Sequence, residues 1–148
     1  MMYESKIDDL LFSDNKALLQ VDVIHRYLSV ESYWAQGIPM DIVKESIGGS
    51  VCFGVYKDNQ QIAYARLITD NATFGYLADV FVLEEYRGEG ISKQLMKFMM
   101  DYPPCKKFRR MMLATKDAQG LYAKFGFKAL AYPERIMEIK AFENYKKK

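Results

Sequence analysis

The sequence predicts an α/β fold of the α+β type: a mixed, mostly antiparallel sheet of six or seven strands with helices on both faces. In the middle of the chain, three strand-like segments follow one another through short polar turns, which is typical of an antiparallel meander. An amphipathic helix pattern then lies between two buried strand patterns, and this order indicates a parallel β–α–β crossover. Two helix patterns precede the meander.

The N-terminal third is predicted to hold one strand and two helices. Residues 3–12 are interpreted as a first strand and residues 13–16 as a turn. Apolar side chains at helical spacing place a helix near residues 22–30. Pro39 fits the first turn of a second helix, which the glycine pair at 48–49 would end.

The predicted meander consists of three strand-like segments. "SVCFGVY" (50–56) is short, apolar and rich in strand formers, and "QIAYARLIT" (61–69) has an alternating pattern. "FGYLADVFVL" (74–83) is the longest of the three. A polar turn at 57–60 and a loop at 70–73 connect them, so we expect consecutive antiparallel pairing.

The C-terminal half begins with the crossover helix, which starts at Ile91. The strand "RRMMLAT" (109–115) completes the β–α–β unit, and a short helix is predicted over residues 117–125. "FKAL" (127–130) and "RIMEIKAF" (135–142) are predicted as the last two strands. The crossover-helix residues expected to face the core are Ile91, Leu95, Phe98 and Met99.

Composition excludes several classes of protein. With 148 residues, half of them hydrophobic, the chain suits one domain, residues 1–148, with a substantial core. No apolar run approaches the roughly 20 residues of a membrane span, and the charged N-terminus has no signal-peptide pattern. The chain has two cysteines and one histidine. We therefore expect reduced thiols, a cytoplasmic location and no metal site.

Charge argues against a nucleic-acid partner. The chain has 21 Lys and Arg against 19 Asp and Glu, so there is no overall basic footprint. Its basic tail, residues 146–148, is interpreted as a solvated terminus.

A glycine turn stands where the last strand of the meander passes into the crossover helix. It reads Arg87-Gly88-Glu89-Gly90-Ile91-Ser92. The first N–H groups of a helix have no partner within the helix and carry partial positive charge. Glycines let a phosphate approach them, and Arg87 adds a full charge, so the turn is a candidate phosphate cradle. Glycines are also common at ordinary strand–helix junctions.

The order of the predicted strands and helices, together with two sequence motifs, resembles a known family. "LADVFVLEEYRGEGISKQLMKF" and "MMLATKDAQGLYAKFGFKAL" resemble the GNAT superfamily of acetyl-CoA-dependent N-acetyltransferases. The phosphate loop of that family reads Gln/Arg-x-x-Gly-x-Gly/Ala, and here Ser92 departs from the usual small apolar residue. The family also has a tyrosine shortly before a Gly-Phe pair, which matches Tyr122 and Gly126-Phe127.

The resemblance implies a fold and a cofactor site. A GNAT-like sheet has a bulged central strand that splays from its parallel neighbour, and the pantetheine arm of acetyl-CoA lies in the gap. The implied cofactor-binding residues are Phe81, Val82, Leu83, Arg87, Gly88, Glu89, Gly90, Ile91, Ser92, Asp117 and Tyr122. The backbone N–H of Phe81 or Val82 is the implied donor to the tetrahedral oxyanion.

The resemblance also suggests catalytic residues. Tyr122 is placed near the thioester sulfur as the acid, although with Leu121 and Phe125 it would equally suit a core aromatic. Asp79, within an apolar strand, is either a general base in a cleft or the structural partner of Arg66. His25, Glu31 and a water chain without a dedicated base are the other routes for the amine proton.

The expected activity is acetyl transfer to a primary amine by direct attack in a ternary complex. The acceptor would be a small molecule or a peptide, with Tyr27, Tyr33, Trp34 and His25 as candidate substrate residues, unless the aromatics only pack the first helix onto the sheet. The alternative is a non-catalytic acyl-CoA-binding module. Many relatives pair, so a homodimer is one expectation; the sequence specifies neither the acceptor nor the acyl chain length.

Overall fold

The structure is a computed structural model that describes residues 2–146. Met1, Lys147 and Lys148 lie outside the described residues, and with them most of the predicted basic tail. The strands are β1 (Glu4–Ile7), β2 (Leu10–Ser13), β3 (Val51–Lys57), β4 (Gln60–Thr69), β5 (Phe74–Val82) and β6 (Arg110–Leu113). The helices are α1 (Val21–Arg26), α2 (Met40–Gly48), α3 (Ile91–Met100) and α4 (Gln119–Ala123).

The described residues form one six-stranded sheet in the order β1-β2-β3-β4-β5-β6. Every neighbouring pair is antiparallel except β5 and β6, which are parallel and joined through α3. The predicted mixed sheet, its meander and its β–α–β crossover are therefore confirmed. No helix in residues 2–146 is long and apolar enough to cross a membrane.

Two hydrophobic clusters cover the two faces of the sheet. On one face, α3 packs against the strands through side chains such as Leu95 and Met99, which are completely buried. On the other face, Ile24 of α1 and Val43 of α2 are completely buried. A buried side chain of this size contributes roughly 1.5–3 kcal/mol. The four predicted core residues of α3 are buried, and so is Met96.

Two details of the N-terminal region differ from the prediction. Residues 3–12 were expected as one strand, but they form a hairpin, because Asp8 adopts a left-handed φ of 55° and reverses the chain between β1 and β2. The predicted helix near residues 22–30 is present, but only Val21–Arg26 is α-helical, and Tyr27–Glu31 continue it as a π-helical turn.

The prediction of two final strands was wrong for the described chain. Residues 127–130 and 135–142 form no strand, and the sheet ends at β6. Alternating or short apolar patterns describe how side chains point, but a strand also requires a neighbouring backbone for its hydrogen bonds. Residues 135–142 find no such neighbour in residues 2–146.

Candidate active site

The middle of β5 carries a bulge at Asp79. Tyr64 of β4 is opposite Phe81 and Arg66 is opposite Ala78, so β5 has one more residue than β4 between these pairs. Asp79 has a φ of 53°, a left-handed conformation that is uncommon outside glycine. The bulge bends β5 away from the regular pleat in the region where it leaves β6.

Strands β5 and β6 pair over only four residues each, and their last pair is Leu77 with Leu113. Beyond it β5 stays paired with β4 as far as Val82, but within the described residues it has no strand on its other side, so that side of its backbone faces a gap. The N–H of Leu83 donates to Ile62, and Arg87 reaches the carbonyl of Val82 from the other side. Successive residues of a strand point their N–H groups to opposite sides, so the N–H of Val82 faces the gap.

The glycine turn lies between this gap and the first turn of α3. Gly88 and Gly90 have φ values of 82° and 80°, which glycine adopts without steric cost. Within the described residues, the N–H groups from Gly88 to Ser92 donate no hydrogen bond. No heavy atom lies within 4 Å of where a Cβ on either glycine would be, so the turn is open to a ligand.

Arg87 is held at the edge of this turn. Its Nε donates to the carbonyl oxygen of Val82 at 3.1 Å, and one terminal nitrogen donates to the hydroxyl of Tyr27 at 2.9 Å. Tyr27 in turn stacks on Phe81 with ring centroids 4.0 Å apart. Burial raises the pKa of the Tyr27 phenol, so Tyr27 is a neutral partner for the guanidinium.

Two cavities lie along β5. The smaller one, about 270 Å³, contains the glycine turn, Val82 and Arg87 in its wall. The larger one, about 640 Å³, is lined by Tyr33, Trp34 and Tyr76, among others. Val80, Ala118 and Tyr122 belong to both walls. The two cavities therefore meet beside Tyr122.

Tyr122 lies on α4 and is only 9% exposed. Burial is the main reason that its pKa is raised, and the phenol of Tyr33 and the carboxylate of Asp117 raise it further. The phenol is therefore protonated at neutral pH and could donate a proton to a group bound between the two cavities.

Asp79 extends toward the larger cavity, but both of its carboxylate oxygens have partners. Oδ2 accepts from Nε of Arg66 at 2.8 Å, and Oδ1 accepts from the indole N–H of Trp34 at 2.7 Å. The pairing with Arg66 that the sequence suggested is thus present. Both carboxylate oxygens of Asp79 are therefore already occupied by donors of the protein.

The other predicted site residues line the smaller cavity, the larger cavity or neither. The predicted cofactor residues in the wall of the smaller cavity are Phe81, Val82, Arg87, Gly88, Gly90, Ile91, Ser92 and Tyr122. Leu83 and Glu89 are not among the residues that line either cavity, and Asp117 lines the larger one.

Among the predicted substrate residues, Tyr33 and Trp34 line the larger cavity and Tyr27 lines the smaller one. His25 lines neither. Its Nε2 is 3.0 Å from the carbonyl oxygen of Ile38, so its ring fastens α1 to the segment before α2.

Sequence reasoning missed part of the larger cavity. Lys140, Phe142, Glu143 and Tyr145 contribute to its wall. The N–H of Tyr145 donates to the carbonyl of Gln36 at 2.8 Å, which holds this end of the chain beside the cavity. No motif marks these residues, because the long-range return of the chain positions them.

The sequence profile of the family described as "Acetyltransferase (GNAT) family" matches residues 21–127. A protein of Gibberella zeae that is named as an acetyltransferase is 33% identical over 136 residues, covering 78% of this chain and 77% of that protein.

Solved structures show the same similarity. A crystal structure from Xanthomonas campestris, named as an acetyltransferase of the GNAT family, is 44% identical, with a TM-score of 0.92 over 96% of this chain and all of that chain. A GNAT-family acetyltransferase from Elizabethkingia anophelis, solved with acetyl-CoA bound, is 16% identical, with a TM-score of 0.63 over 89% of this chain and 88% of that chain. The latter likeness concerns the fold.

Proposed function

Because the chain belongs to the GNAT family of acetyltransferases, we propose that it transfers an acetyl group from acetyl-CoA to a primary amine, by direct attack within a ternary complex. The observation that carries this proposal is the meeting of two cavities at Tyr122. One cavity has the features of a phosphate site, and the other is a separate space for an acceptor. Two substrates bound in this way would meet without an intermediate carried by the protein.

The glycine turn suits the diphosphate of coenzyme A. Its N–H groups from Gly88 to Ser92 donate no hydrogen bond within residues 2–146 and lie at the positive end of α3, and Arg87 lies at the edge of the same cavity. The gap beside Val82 suits the pantetheine arm, since an extended chain can bond to strand backbone there. When bound, acetyl-CoA supplies the acetyl group as a thioester.

Two hydrogen-bond donors of this chain are placed where they could stabilise the negative charges that develop during acyl transfer. The N–H of Val82 points into the gap and is the candidate donor to the oxyanion. The buried phenol of Tyr122 is the candidate donor to the leaving sulfur, because its raised pKa keeps it protonated. Thiolates are moderately basic, so we expect this acid to contribute about 10²-fold, the lower end for general acids.

The amine must lose a proton before it can attack. At pH 7 roughly one alkyl amine in a thousand is neutral. Asp79 was predicted as a base, but its hydrogen bonds to Arg66 and Trp34 support a structural role. We propose that water in the larger cavity accepts the proton and that Asp79 keeps the bulge and the indole in position.

The cysteines support direct transfer over an acyl-enzyme route. Cys52 and Cys105 are both buried and line neither cavity. Burial raises the pKa of both thiols, that of Cys105 to about 11. A thiol in this state is a poor nucleophile, since the thiolate is the reactive form.

The direct test is a screen of primary amines with acetyl-CoA, following release of free thiol and confirming the acetylated amine by mass spectrometry. We expect thiol release that depends on the amine, with initial-rate lines that intersect when both substrates are varied. Parallel lines would contradict direct transfer. Tight binding of acetyl-CoA without acceleration by any amine would instead support the non-catalytic binding module.

A further inference from the structure

Aromatic side chains make up much of the wall of the larger cavity. This aromatic wall consists of Tyr33, Trp34, Tyr76, Phe142 and Tyr145. Two of its members keep a large part of their surface uncovered, since Tyr33 is 45% exposed and Phe142 is 56% exposed. Uncovered aromatic surface in a concave site is suited to an apolar ligand, because the ligand removes that surface from water.

Four of these rings form two edge-to-face pairs. The ring centroids of Tyr33 and Trp34 are 5.0 Å apart, and so are those of Phe142 and Tyr145. The N–H of Tyr145 donates to the carbonyl oxygen of Gln36 at 2.8 Å, which brings the second pair close to the segment that carries the first. An aromatic ring bound in the cavity could therefore extend an arrangement of rings that already exists.

The first of the two pairs is also fixed by hydrogen bonds. The hydroxyl of Tyr33 accepts from the N–H of Lys116 at 2.9 Å, and the indole of Trp34 donates to Asp79 at 2.7 Å. Because both rings are held in place before a ligand enters, little side-chain entropy is lost when it binds.

Most charges in the wall of the larger cavity are already matched. Arg66 and Asp79 form one ion pair, and Nζ of Lys140 lies 2.9 Å from a carboxylate oxygen of Glu143 in another. The third lining cation, Lys116, has its ammonium 5.5 Å from the centre of the Tyr33 ring.

The carboxylate that remains is Asp117. It lines the larger cavity and forms no ion pair within residues 2–146. Asp117 directly precedes Ala118, which lies in the walls of both cavities, so a cation held by Asp117 is next to the junction at Tyr122. Alkyl amines are almost entirely ammonium ions at neutral pH, so Asp117 suits the amine end of an acceptor.

Given the proposed acetyl transfer, on which this assignment rests, we propose that the acceptor is an aralkylamine. This class has a primary ammonium joined by a short chain to an aromatic ring, and no carboxylate. Asp117 receives the ammonium and the aromatic wall receives the ring. A carboxylate next to the amine, as in a free amino acid, would be repelled by Asp117.

The binding test uses the full chain and the fluorescence of Trp34, which is the one tryptophan of the sequence and lines the larger cavity. Coenzyme A without an acetyl group is present, so binding is measured without turnover. The probes are phenylethylamine, cyclohexylethylamine, phenylethanol and free phenylalanine. We expect phenylethylamine to bind about 3- to 10-fold more tightly than cyclohexylethylamine, because only the former is aromatic. Phenylethanol and free phenylalanine should each bind at least about 3-fold more weakly than phenylethylamine.

Two variants separate the contributions of the carboxylate and of the ring. Asp117→Asn should weaken the binding of phenylethylamine by about 3- to 5-fold and leave that of phenylethanol unchanged, since the pair with the ammonium is solvent-exposed. The matched control is Glu134→Gln, which changes an exposed acid that lines neither cavity.

Phe142→Ala should weaken the binding of phenylethylamine by about 3- to 10-fold, because an aromatic contact is lost. Its control is Tyr132→Ala, which removes a ring that is 52% exposed and lines neither cavity. That control should bind phenylethylamine as the natural chain does.

The assignment would be overturned if cyclohexylethylamine or free phenylalanine bound as tightly as phenylethylamine, or if phenylethylamine left the fluorescence of Trp34 unchanged. Unchanged affinity in Asp117→Asn would also overturn it. Failure of the proposed function gives a different result, in which phenylethylamine binds with this selectivity but is not acetylated when acetyl-CoA is supplied. Acetylation of other amines, with none of phenylethylamine, would overturn the aralkylamine class and leave the acetyl transfer standing.

Discussion

Arg66 of β4 and Asp79 of β5 form an ion pair across two neighbouring strands, with Nε and Oδ2 2.8 Å apart. Their side chains are only 16% and 10% exposed, so water screens the pair weakly. Asp79 is also the bulged residue with a left-handed φ, and it holds Trp34 through its second oxygen. The pair therefore connects the bulge, the sheet and the aromatic wall of the larger cavity.

Asp79→Asn should destabilise the fold more than it affects proton transfer. It leaves Arg66 with an uncompensated buried charge, and breaking such a pair costs about 3–5 kcal/mol. Urea unfolding measures this loss. The matched control is Asp101→Asn, which removes an exposed carboxylate paired with Lys97 and should leave the free energy of unfolding nearly unchanged. If Asp79 were the general base, the folded variant would in addition be slower by about 10²-fold or more.

Gly90→Asp should abolish binding of coenzyme A. The substitution puts a side chain and a negative charge at the N-terminus of α3, where the free amides are, and forces a non-glycine residue to a φ of 80°. Isothermal titration calorimetry measures the affinity. Gly48→Asp is the control, since Gly48 also has open space around it but lies at the far end of α2. Unchanged affinity in Gly90→Asp would refute the phosphate site.

Tyr122→Phe should lower kcat by about 10²-fold while the affinity for acetyl-CoA changes little, because only the proton donor is lost. Steady-state kinetics and calorimetry on the same preparation separate the two effects. Tyr102→Phe removes a phenol from a tyrosine that packs among Phe53 and Tyr3 and lines neither cavity, so its kcat should be unchanged. Equal kcat in Tyr122→Phe and the natural chain would leave Tyr122 as a packing residue.

The value of kcat/KM should increase as the pH rises above neutral. Ionisation of Tyr122 should cause no decrease in kcat/KM below pH 10. Burial raises the pKa of this phenol above its ordinary value of 10.0, so the acid form survives to higher pH than that of a free tyrosine. The neutral fraction of the amine grows with pH over the same range. The measurement is kcat/KM against pH; a loss of activity between about pH 8 and pH 9 would mean that a different acid is essential.

Replacing the cysteines should leave turnover unchanged. Cys105→Ala removes a thiol that lines neither cavity, and Cys52→Ser keeps an acceptor for the hydroxyl of Tyr64, which is 3.2 Å from the sulfur. Some stability is lost in each case, because both residues are buried. Turnover should be assayed at a temperature where circular dichroism shows both variants folded. Loss of acetyl transfer in a folded variant would point to an acyl-enzyme.

Several residues of the candidate site could be predicted from local sequence. Gly88 and Gly90 mark the turn because glycine adopts positive φ at no steric cost, and the apolar spacing from Ile91 marks α3. Asp79 was predicted to have a base or pairing role because a carboxylate in an apolar strand needs a partner. In the structure that partner is Arg66. The family resemblance implied a bulged strand that splays from its parallel neighbour. The residues of this chain alone did not show that the bulge is at Asp79 or that β5 parts from β6 after Leu77, since both depend on how neighbouring strands pair.

The sequence by itself determined the elements whose cause is local: the meander, the crossover helix and the glycine turn before it. Tertiary structure decided the features that depend on distant parts of the chain. It determined which groups bond to the carboxylate oxygens of Asp79 and that the two cavities meet at Tyr122. It also determined that residues 128–143 find no strand partner within residues 2–146. The physical reason is that side-chain periodicity and glycine conformation are properties of a segment, whereas hydrogen-bond partners and cavity walls are properties of the assembled fold.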